Sequence, residues 1–195
     1  LDPDLVIQQI RAVIEDIPPR AAKTGALGNQ ALASAVAKMA ESFDFPLVVD
    51  PLMISTSGAP LGYPFTRAFL ITPNLHEASV LAGFPVEDAD AMRRAAQKIA
   101  SMGAQNVLIT GGHLPGDAID LLFTDGAFHK FTAARIETTH THGTGCTYSA
   151  AITAELAKGT PLIEAIRRAK LFITEAIRTN PGLGSGSGPL NHFAR

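Results

Sequence analysis

A chain of 195 residues, 46% of them hydrophobic and 17% charged, is typical of a soluble globular protein with one domain. Its formal net charge of −2 offers no electrostatic footprint for nucleic acid or for an anionic membrane. One cysteine excludes an internal disulfide framework and fits a reducing compartment, and no apolar run approaches the roughly 20 residues of a membrane span. We therefore expect a cytoplasmic protein without a nucleic-acid or membrane partner.

Helical and extended segments alternate along the first half of the chain. Apolar residues in 3–15 recur at spacings of four and three, which predicts an amphipathic helix. The run PLVVD at 46–50 is wholly apolar before its aspartate, and such a run favours a parallel strand buried on both faces. The other predicted elements are a strand at 21–25, a helix at 29–43, a strand at 69–72, and helices at 76–82 and 87–102.

The second half begins with a strand at 106–110 and a β-hairpin, in which Asp125-Gly126 separates the runs IDLLFT and AFHKFTA. A helix is predicted from near Cys146 to Gly159, and another at 161–179. The glycine-serine tail that follows is expected to be a loop held at its end by Leu190 and Phe193.

This alternation predicts an α/β fold with a largely parallel sheet covered by helices on both faces. Ligands of such sheets bind beyond the carboxyl ends of the strands, so the residues that follow each strand are expected to meet there. They are Thr24-Gly25, Asp50, Asn74 to Glu77, Gly111 to His113, and the turn before Cys146.

The glycine-rich turn Gly143-Thr144-Gly145 opens the helix that contains the only cysteine. The first N–H groups of a helix lack internal partners, and the helix dipole adds positive charge, so this turn is a candidate cradle for phosphate. A helix N-terminus also lowers a cysteine's pKa, which makes Cys146 a candidate base or nucleophile. The alternative is an ordinary loop before a helix, with Cys146 packed as a small hydrophobe.

Two carboxylates are expected at the same edge of the sheet. Asp50 and Glu77 are candidate ligands of Mg²⁺, which prefers oxygen atoms and keeps several waters. Each has a structural alternative, a turn aspartate for Asp50 and a first-turn helix glutamate for Glu77. His140 and His142 lack further ligands at zinc spacing, and the sequence contains neither a GxxxxGK[ST] loop nor a GxGxxG fingerprint after a strand.

Several motifs carry a resemblance to a known family, and HGTGC at 142–146, followed by a helix of small residues, is the most specific. On these motifs the chain resembles the hydroxymethylpyrimidine/phosphomethylpyrimidine kinases of thiamin biosynthesis, in the ribokinase-like superfamily. In that superfamily an aspartate commonly stands where this chain has Cys146, and cysteine is characteristic of the pyrimidine kinases. The other matching segments are AAKTGALG, VVDPLMISTSGAPL, LITPNLHEASVLAG, VLITGGHLPGDAIDLLFTDG and GSGSGPLNHF.

The resemblance implies a three-layer sandwich in one domain over 1–195, with the family's N-terminal strand missing and the segment around 61–69 shortened. It implies ATP and Mg²⁺ as cofactors, a homodimer, and phosphorylation of 4-amino-5-hydroxymethyl-2-methylpyrimidine and then of its monophosphate. The implied site residues are Gly143, Thr144, Gly145 and Cys146 for catalysis; Asp50 and Glu77 for magnesium; Thr110, Gly111, Gly112, His113 and Lys170 for ATP; and Gly25, Ala26, Leu52 and Cys146 for the pyrimidine.

Two alternatives stay open beside this interpretation. Pyridoxal kinases share the fold and phosphorylate a similar hydroxymethyl group, although Cys146 favours the pyrimidine enzyme. A non-catalytic pyrimidine-binding relative is the other alternative, against which the intact cradle and carboxylates argue. Thr110 stands where relatives commonly have lysine, so one contact with the nucleotide is expected to be weaker.

Overall fold

The computed structural model describes residues 2–51, 67–112 and 116–194. Within these ranges the chain forms six helices and six strands, and each element predicted from the sequence is present with its ends shifted by a few residues. In chain order they are α1 (Pro3–Asp16), β1 (Ala22–Thr24), α2 (Gln30–Ala40), β2 (Leu47–Val49), β3 (Leu70–Ile71), α3 (Leu75–Ala82), α4 (Ala89–Ala100), β4 (Val107–Gly111), β5 (Ala118–Thr124), β6 (Ala127–Ala133), α5 (Thr144–Ala157) and α6 (Leu162–Arg178).

Side-chain caps fix where several helices begin. The carboxylate of Asp88 accepts a hydrogen bond from Ala91 N at 2.7 Å at the start of α4, and the Asn29 side chain accepts one from Leu32 N at 2.9 Å at the start of α2. These bonds satisfy N–H groups that have no partner inside the helix. Helix α3 ends at Gly83, whose φ of 79° lies in the left-handed region that glycine adopts without strain.

The six strands form one sheet in the order of the chain, from β1 to β6. The pairs β1–β2, β2–β3 and β3–β4 are parallel, whereas β4–β5 and β5–β6 are antiparallel. The hairpin between β5 and β6 turns at Asp125 and Gly126, with φ values of 48° and 75°, as a tight two-residue turn requires. The predicted sheet and hairpin are confirmed.

Neighbouring residues of each buried strand point to opposite faces of the sheet, and each face has its own core. Val49, Ile71 and Ile109 pack with α2, α3 and α4 on one face. Val48, Leu70 and Leu108 pack with α5 and α6 on the other. This accounts for the continuous apolar runs in the sequence and gives the predicted three layers, with helices on both faces.

Two segments bury less than their sequence patterns suggest. Helix α1 packs beside α2, but none of its side chains is buried among the described residues, and Val13 is 57% exposed. In the tail, Leu190 is buried as predicted, whereas the prediction for Phe193 is wrong because that ring is 92% exposed. The chain turns at Asn191, whose side-chain oxygen accepts from Phe193 N at 3.0 Å, and Phe193 then faces solvent. In the portion of the chain that is described, no helix has the length and apolar character that crossing a bilayer requires.

Candidate active site

Four parallel strands end side by side, and backbone hydrogen bonds continue between the residues that follow them. Asp50 N donates to Thr24 O at 3.1 Å, and Thr110 N donates to Pro73 O at 2.9 Å. Asn74 forms an isolated bridge with Thr110. The structure therefore brings the residues after β1, β2 and β3 together with the end of β4, at the edge where the sequence predicted a site.

The turn before α5 leaves the N–H group of Gly145 without a backbone acceptor among the described residues. Gly143 is the N-cap residue with a φ of 82°, and no side chain caps the helix. Thr144 N donates to Thr141 O at 3.2 Å, the N–H group of Cys146 faces its own thiol, and within the described ranges Gly145 N has no backbone acceptor. A Cβ on Gly145 would meet nothing within 4 Å, so the space above this turn is open. An uncapped helix N-terminus of this kind can bind an anion through its first N–H groups.

The pKa of the Cys146 thiol is shifted in the direction opposite to the one expected at a helix N-terminus. Burial raises the pKa of Cys146 above its ordinary value, and the carboxylate of Asp50 raises it further, through its charge and through a hydrogen bond. The ammonium of Lys23 acts in the opposite direction. The prediction of a lowered pKa is therefore wrong, because a neighbouring carboxylate and burial outweigh the helix N-terminus. Cys146 is half-buried and neutral near pH 7.

Asp50 is held by two residues that the sequence reasoning missed. Its side chain is 4% exposed, and Oδ2 accepts from Ser149 Oγ at 2.9 Å and from Lys23 Nζ at 3.4 Å. Both groups also donate to the carbonyl oxygen of Cys146, Ser149 Oγ at 3.1 Å and Lys23 Nζ at 3.5 Å. Strand β1, strand β2 and the first turn of α5 are thus joined through one carboxylate. The sequence held a signal for Ser149, because a residue three positions after Cys146 lies on the same side of a helix.

Glu77 forms part of the start of α3. Asn74 Oδ1 accepts from Glu77 N at 3.0 Å, and Glu77 Oε2 accepts from Asn74 N at 2.9 Å, which is a capping box. Burial raises the pKa of Glu77 to about 7; the bond from Asn74 N opposes this rise, and the charge of Asp50 adds to it. The structural alternative for Glu77 is therefore present, and it does not exclude a second role for the carboxylate.

The donor set at this edge fits magnesium in part. Among residues 2–51, 67–112 and 116–194 no group of three or more acidic, histidine or cysteine side chains is arranged to hold a metal ion. The two carboxylates are close enough for Asp50 to influence Glu77, and the hydroxyl oxygens of Thr24 and Thr72 are buried without a hydrogen-bond partner among the described residues. Magnesium requires oxygen donors and retains waters, so two carboxylates are a sufficient protein contribution.

The residues predicted to border ATP are linked through Asp120, which the sequence reasoning missed. Asp120 Oδ1 accepts from Gly111 N at 3.2 Å, and Oδ2 accepts from Lys170 Nζ at 2.7 Å. Gly111 has no room for a side chain, because a Cβ there would collide with the carbonyl oxygen of Ile119. Lys170 thus contacts the strand end through Asp120. Gly112 follows β4 directly, and its carbonyl oxygen accepts from Arg135 at 2.7 Å.

The pyrimidine-pocket residues are placed only in part. Gly25 is half-buried and Ala26 is exposed, and both follow β1 at the carboxyl edge of the sheet. Leu52 and His113, two further predicted site residues, lie outside the described residues.

Comparison with known proteins agrees with this geometry. The profile described as phosphomethylpyrimidine kinase matches residues 1–191. The chain belongs to the phosphomethylpyrimidine kinase family. It is 43% identical to the hydroxymethylpyrimidine/phosphomethylpyrimidine kinase of Bacillus subtilis, over 96% of this chain and 74% of the relative. It is 45% identical to the thiamine biosynthesis bifunctional protein ThiED of Geobacter sulfurreducens, over 98% of this chain but 41% of that relative. The predicted family and its class of enzyme, a phosphotransferase, are confirmed.

Solved structures of the same fold include two kinds of kinase. The pyridoxal kinase of Bacillus subtilis in complex with ADP superimposes with a TM-score of 0.92 at 39% identity, over 100% of this chain and 77% of that one. Staphylococcus aureus pyridoxal kinase, in complex with AMP-PCP and pyridoxal, gives a TM-score of 0.92 at 34% identity, over 100% and 74%. The phosphomethylpyrimidine kinase of Clostridium difficile gives 0.76 at 37% identity, over 91% and 77%. The ribokinase-like fold is confirmed.

Proposed function

We propose that this chain transfers the γ-phosphate of ATP to the hydroxymethyl group of 4-amino-5-hydroxymethyl-2-methylpyrimidine, and then phosphorylates the monophosphate. The observation that carries the proposal is the start of α5, where no side chain among the described residues caps the helix and Gly145 N has no backbone acceptor, beside Cys146 and the buried Asp50. Phosphoryl transfer depends on positioning and on stabilising charge over the transferred group, and N–H donors at a helix N-terminus supply such stabilisation.

Cys146 acts in this mechanism as a neutral relay. The substrate oxygen forms a bond to the γ-phosphorus while the bond from phosphorus to the bridging oxygen breaks, and ADP leaves. The proton of the substrate hydroxyl passes to Sγ of Cys146 as the thiol proton passes to the hydrogen-bonded Asp50. A thiol that stays neutral suits an uncharged aminopyrimidine, and a largely dissociative transition state needs the proton to move only late.

Asp50 and Glu77 are the residues that would hold Mg²⁺. The metal supplies neutralisation of phosphate charge when bound. The protein's own contribution is to keep two carboxylates at the edge of the sheet, Asp50 fixed by Lys23 and Ser149, and Glu77 fixed by its capping box. The buried hydroxyl groups of Thr24 and Thr72 are further oxygen atoms that water bound to the metal could contact.

The ATP side of the site is formed by Thr110, Gly111 and Gly112 at the end of β4. Support comes from the related kinases named as complexes with ADP and with AMP-PCP. Lys170 holds this strand end through Asp120, so we assign it an indirect contribution to nucleotide binding. Thr110 gives the nucleotide no cationic side chain, so we expect a higher KM for ATP than in relatives with lysine there.

The alternative substrate is pyridoxal, favoured by the TM-scores of 0.92 with two pyridoxal kinases. Steady-state turnover of the pyrimidine alcohol, its monophosphate and pyridoxal, each with ATP, separates the two functions. We expect kcat/KM to be highest for the pyrimidine alcohol. A higher value for pyridoxal would make the alternative correct, and no ATP-dependent transfer to any of the three would indicate a non-catalytic relative.

Substitution of Cys146 tests the relay. We expect Cys146→Ala to lower kcat by about 100-fold, the usual contribution of a positioned proton-transfer group, with little change in the KM for ATP. Cys146→Ser retains a hydroxyl that can donate to Asp50, so its kcat should be lower than that of wild type and higher than that of the alanine variant. Wild-type turnover in the alanine variant would rule out a proton relay through this position.

A further inference from the structure

The tail after α6 lies directly against the loop that leads into the phosphate cradle. His142 and Pro189 form a parallel bridge, and His142 N donates to Gly188 O at 3.3 Å. Because His142 immediately precedes the N-cap residue Gly143, this contact reaches the cradle within one residue of its first turn.

Gly188 has no space for a side chain. A Cβ there would lie 2.5 Å from the carbonyl oxygen of Leu183 and 2.9 Å from Cε1 of His140, and it would collide with Nδ1 of the same ring. That nitrogen is buried, and no described residue forms a hydrogen bond with it. The backbone of Gly188 is outside the left-handed region, so close approach rather than conformation requires glycine here.

The other end of the tail is fixed to α6. Leu190 is buried in the core that α5 and α6 share, and Asn191 N donates to Ala176 O at 3.1 Å. The Asn191 side chain donates to Thr179 Oγ1 at 3.0 Å. The tail therefore connects the end of α6 with the loop before α5. Since α5 begins without a side-chain cap, its first turn depends on such outside contacts for its position.

We infer that Gly188 is a positioning residue for the phosphate cradle, acting through His140 and His142 on Gly143 to Cys146. The inference rests on the proposed function for its kinetic consequence, but not for its structural one. An added methyl group at Gly188 displaces His140 and the His142 backbone, and a displacement of this kind at a site of phosphoryl transfer reduces turnover.

The chain offers a matched control two residues away. A Cβ on Gly186 would meet nothing within 4 Å, and the backbone of Gly186 is also outside the left-handed region. Gly188→Ala and Gly186→Ala therefore place the same methyl group in the same tail, and they differ in whether it has space. Ile99→Val, in the core on the opposite face of the sheet, is a second control that lowers stability without touching the tail.

Two measurements decide the inference. Steady-state kinetics should give Gly188→Ala a kcat about tenfold or more below wild type, with the KM for ATP changed less than about threefold. Alkylation of Cys146 by iodoacetamide at one fixed pH reports the position of the first turn, because the chain contains no other cysteine. We expect its rate to change about threefold or more in Gly188→Ala. Gly186→Ala and Ile99→Val should match wild type in both.

Wild-type kcat and alkylation rate in Gly188→Ala would overturn the inference, and so would equal changes in Gly186→Ala or Ile99→Val. If Gly188→Ala does not fold, Asn191→Ala decides, because it removes the side-chain bonds to Thr179 and Phe193 N without adding a group to the tail. It should shift both readouts in the same direction by a smaller factor, and unchanged values would overturn the inference. If wild type transfers no phosphate, the proposed function fails, and the alkylation rates alone decide whether Gly188 positions the turn before α5.

Discussion

Two lysine–aspartate pairs lie at the carboxyl edge of the sheet, and they differ in how far water can reach them. Lys170 and Asp120 are 2.7 Å apart, and their side chains are 11% and 3% exposed. Lys23 and Asp50 are 3.4 Å apart, and the lysine side chain is 23% exposed. The first pair is closed and short, whereas the second is longer and partly open to solvent.

The difference agrees with a structural role for the first pair and with the functional role that we propose for Asp50. Asp120 divides its two oxygens between Lys170 and Gly111 N, so that pair fixes α6 to the end of β4. Asp50 divides its contacts among Lys23 on β1 and Ser149 and the thiol of Cys146 on α5. A carboxylate that must accept a proton or a metal gains from looser contacts, and one that supports a strand end gains from tight ones.

The largest effect is expected from breaking the closed pair. Lys170→Met leaves Asp120 buried without its cationic partner, and loss of one member of a buried pair costs about 3–5 kcal/mol of unfolding free energy. Urea unfolding measures it. Burial already raises the pKa of Asp120 against the influence of Lys170, so in the variant this raised pKa makes stability fall further as pH rises.

The double variant Lys170→Met with Asp120→Asn is the control for that prediction. The amide removes the unpaired charge and can still accept from Gly111 N, so it should recover at least half of the lost free energy. A Lys170→Met variant as stable as wild type would contradict the structural role of the pair.

Local sequence patterns predicted the elements, because the periods of two and 3.6 residues and the Asp125-Gly126 turn are local properties. They also predicted which strand ends meet, since parallel strands place their carboxyl ends on one edge. The contacts within the site are of another kind. Ser149 bonds to Asp50 across 99 residues of sequence, and Lys170 bonds to Asp120 across 50, so no local pattern could pair them.

The direction of the Cys146 pKa shift was predicted wrongly for the same reason, because it depends on a contact between residues distant in the sequence. The helix N-terminus was visible in the sequence, but the Asp50 carboxylate beside the thiol comes from a strand nearly 100 residues away in the chain. Phe193 is a second case, in which an apolar residue near the end of the chain suggested an anchor. The anchors are Leu190 and the backbone of Asn191, and a turn at Asn191 leaves the ring in solvent.

A smaller effect on stability is expected from the titration of Glu77, whose pKa is influenced by Asp50 of the open pair. Its pKa is raised to about 7 in the folded protein, above the ordinary carboxyl value of the unfolded chain. A group with a raised folded pKa stabilises the fold at low pH and loses that contribution as pH rises, here between about pH 4.5 and pH 7. In metal-free buffer the unfolding free energy should fall by roughly 2–3 kcal/mol across this window because of Glu77.

Glu77→Gln isolates that contribution, because glutamine can still accept from Asn74 N and complete the capping box. Urea titrations at several pH values should give the variant a flatter dependence on pH than wild type over the same window. Equal slopes would mean that Glu77 titrates at its ordinary pKa and that the buried carboxylate pair is not coupled as described.

The smallest loss of stability is expected from breaking the open pair. Lys23→Met leaves Asp50 with the hydrogen bond from Ser149, and an ion pair whose lysine is partly exposed contributes at most about 1 kcal/mol. Urea unfolding at neutral pH should therefore give this variant an unfolding free energy close to that of wild type and well above that of Lys170→Met.

The kcat of Lys23→Met should nevertheless fall, because Lys23 also donates to the Cys146 carbonyl oxygen at 3.5 Å and thereby holds the first turn of α5. Lys23→Arg should restore part of the lost kcat. A loss of stability as large as that of Lys170→Met, or an unchanged kcat, would remove the distinction between the two pairs, because a pair that is open for function should affect turnover more than folding.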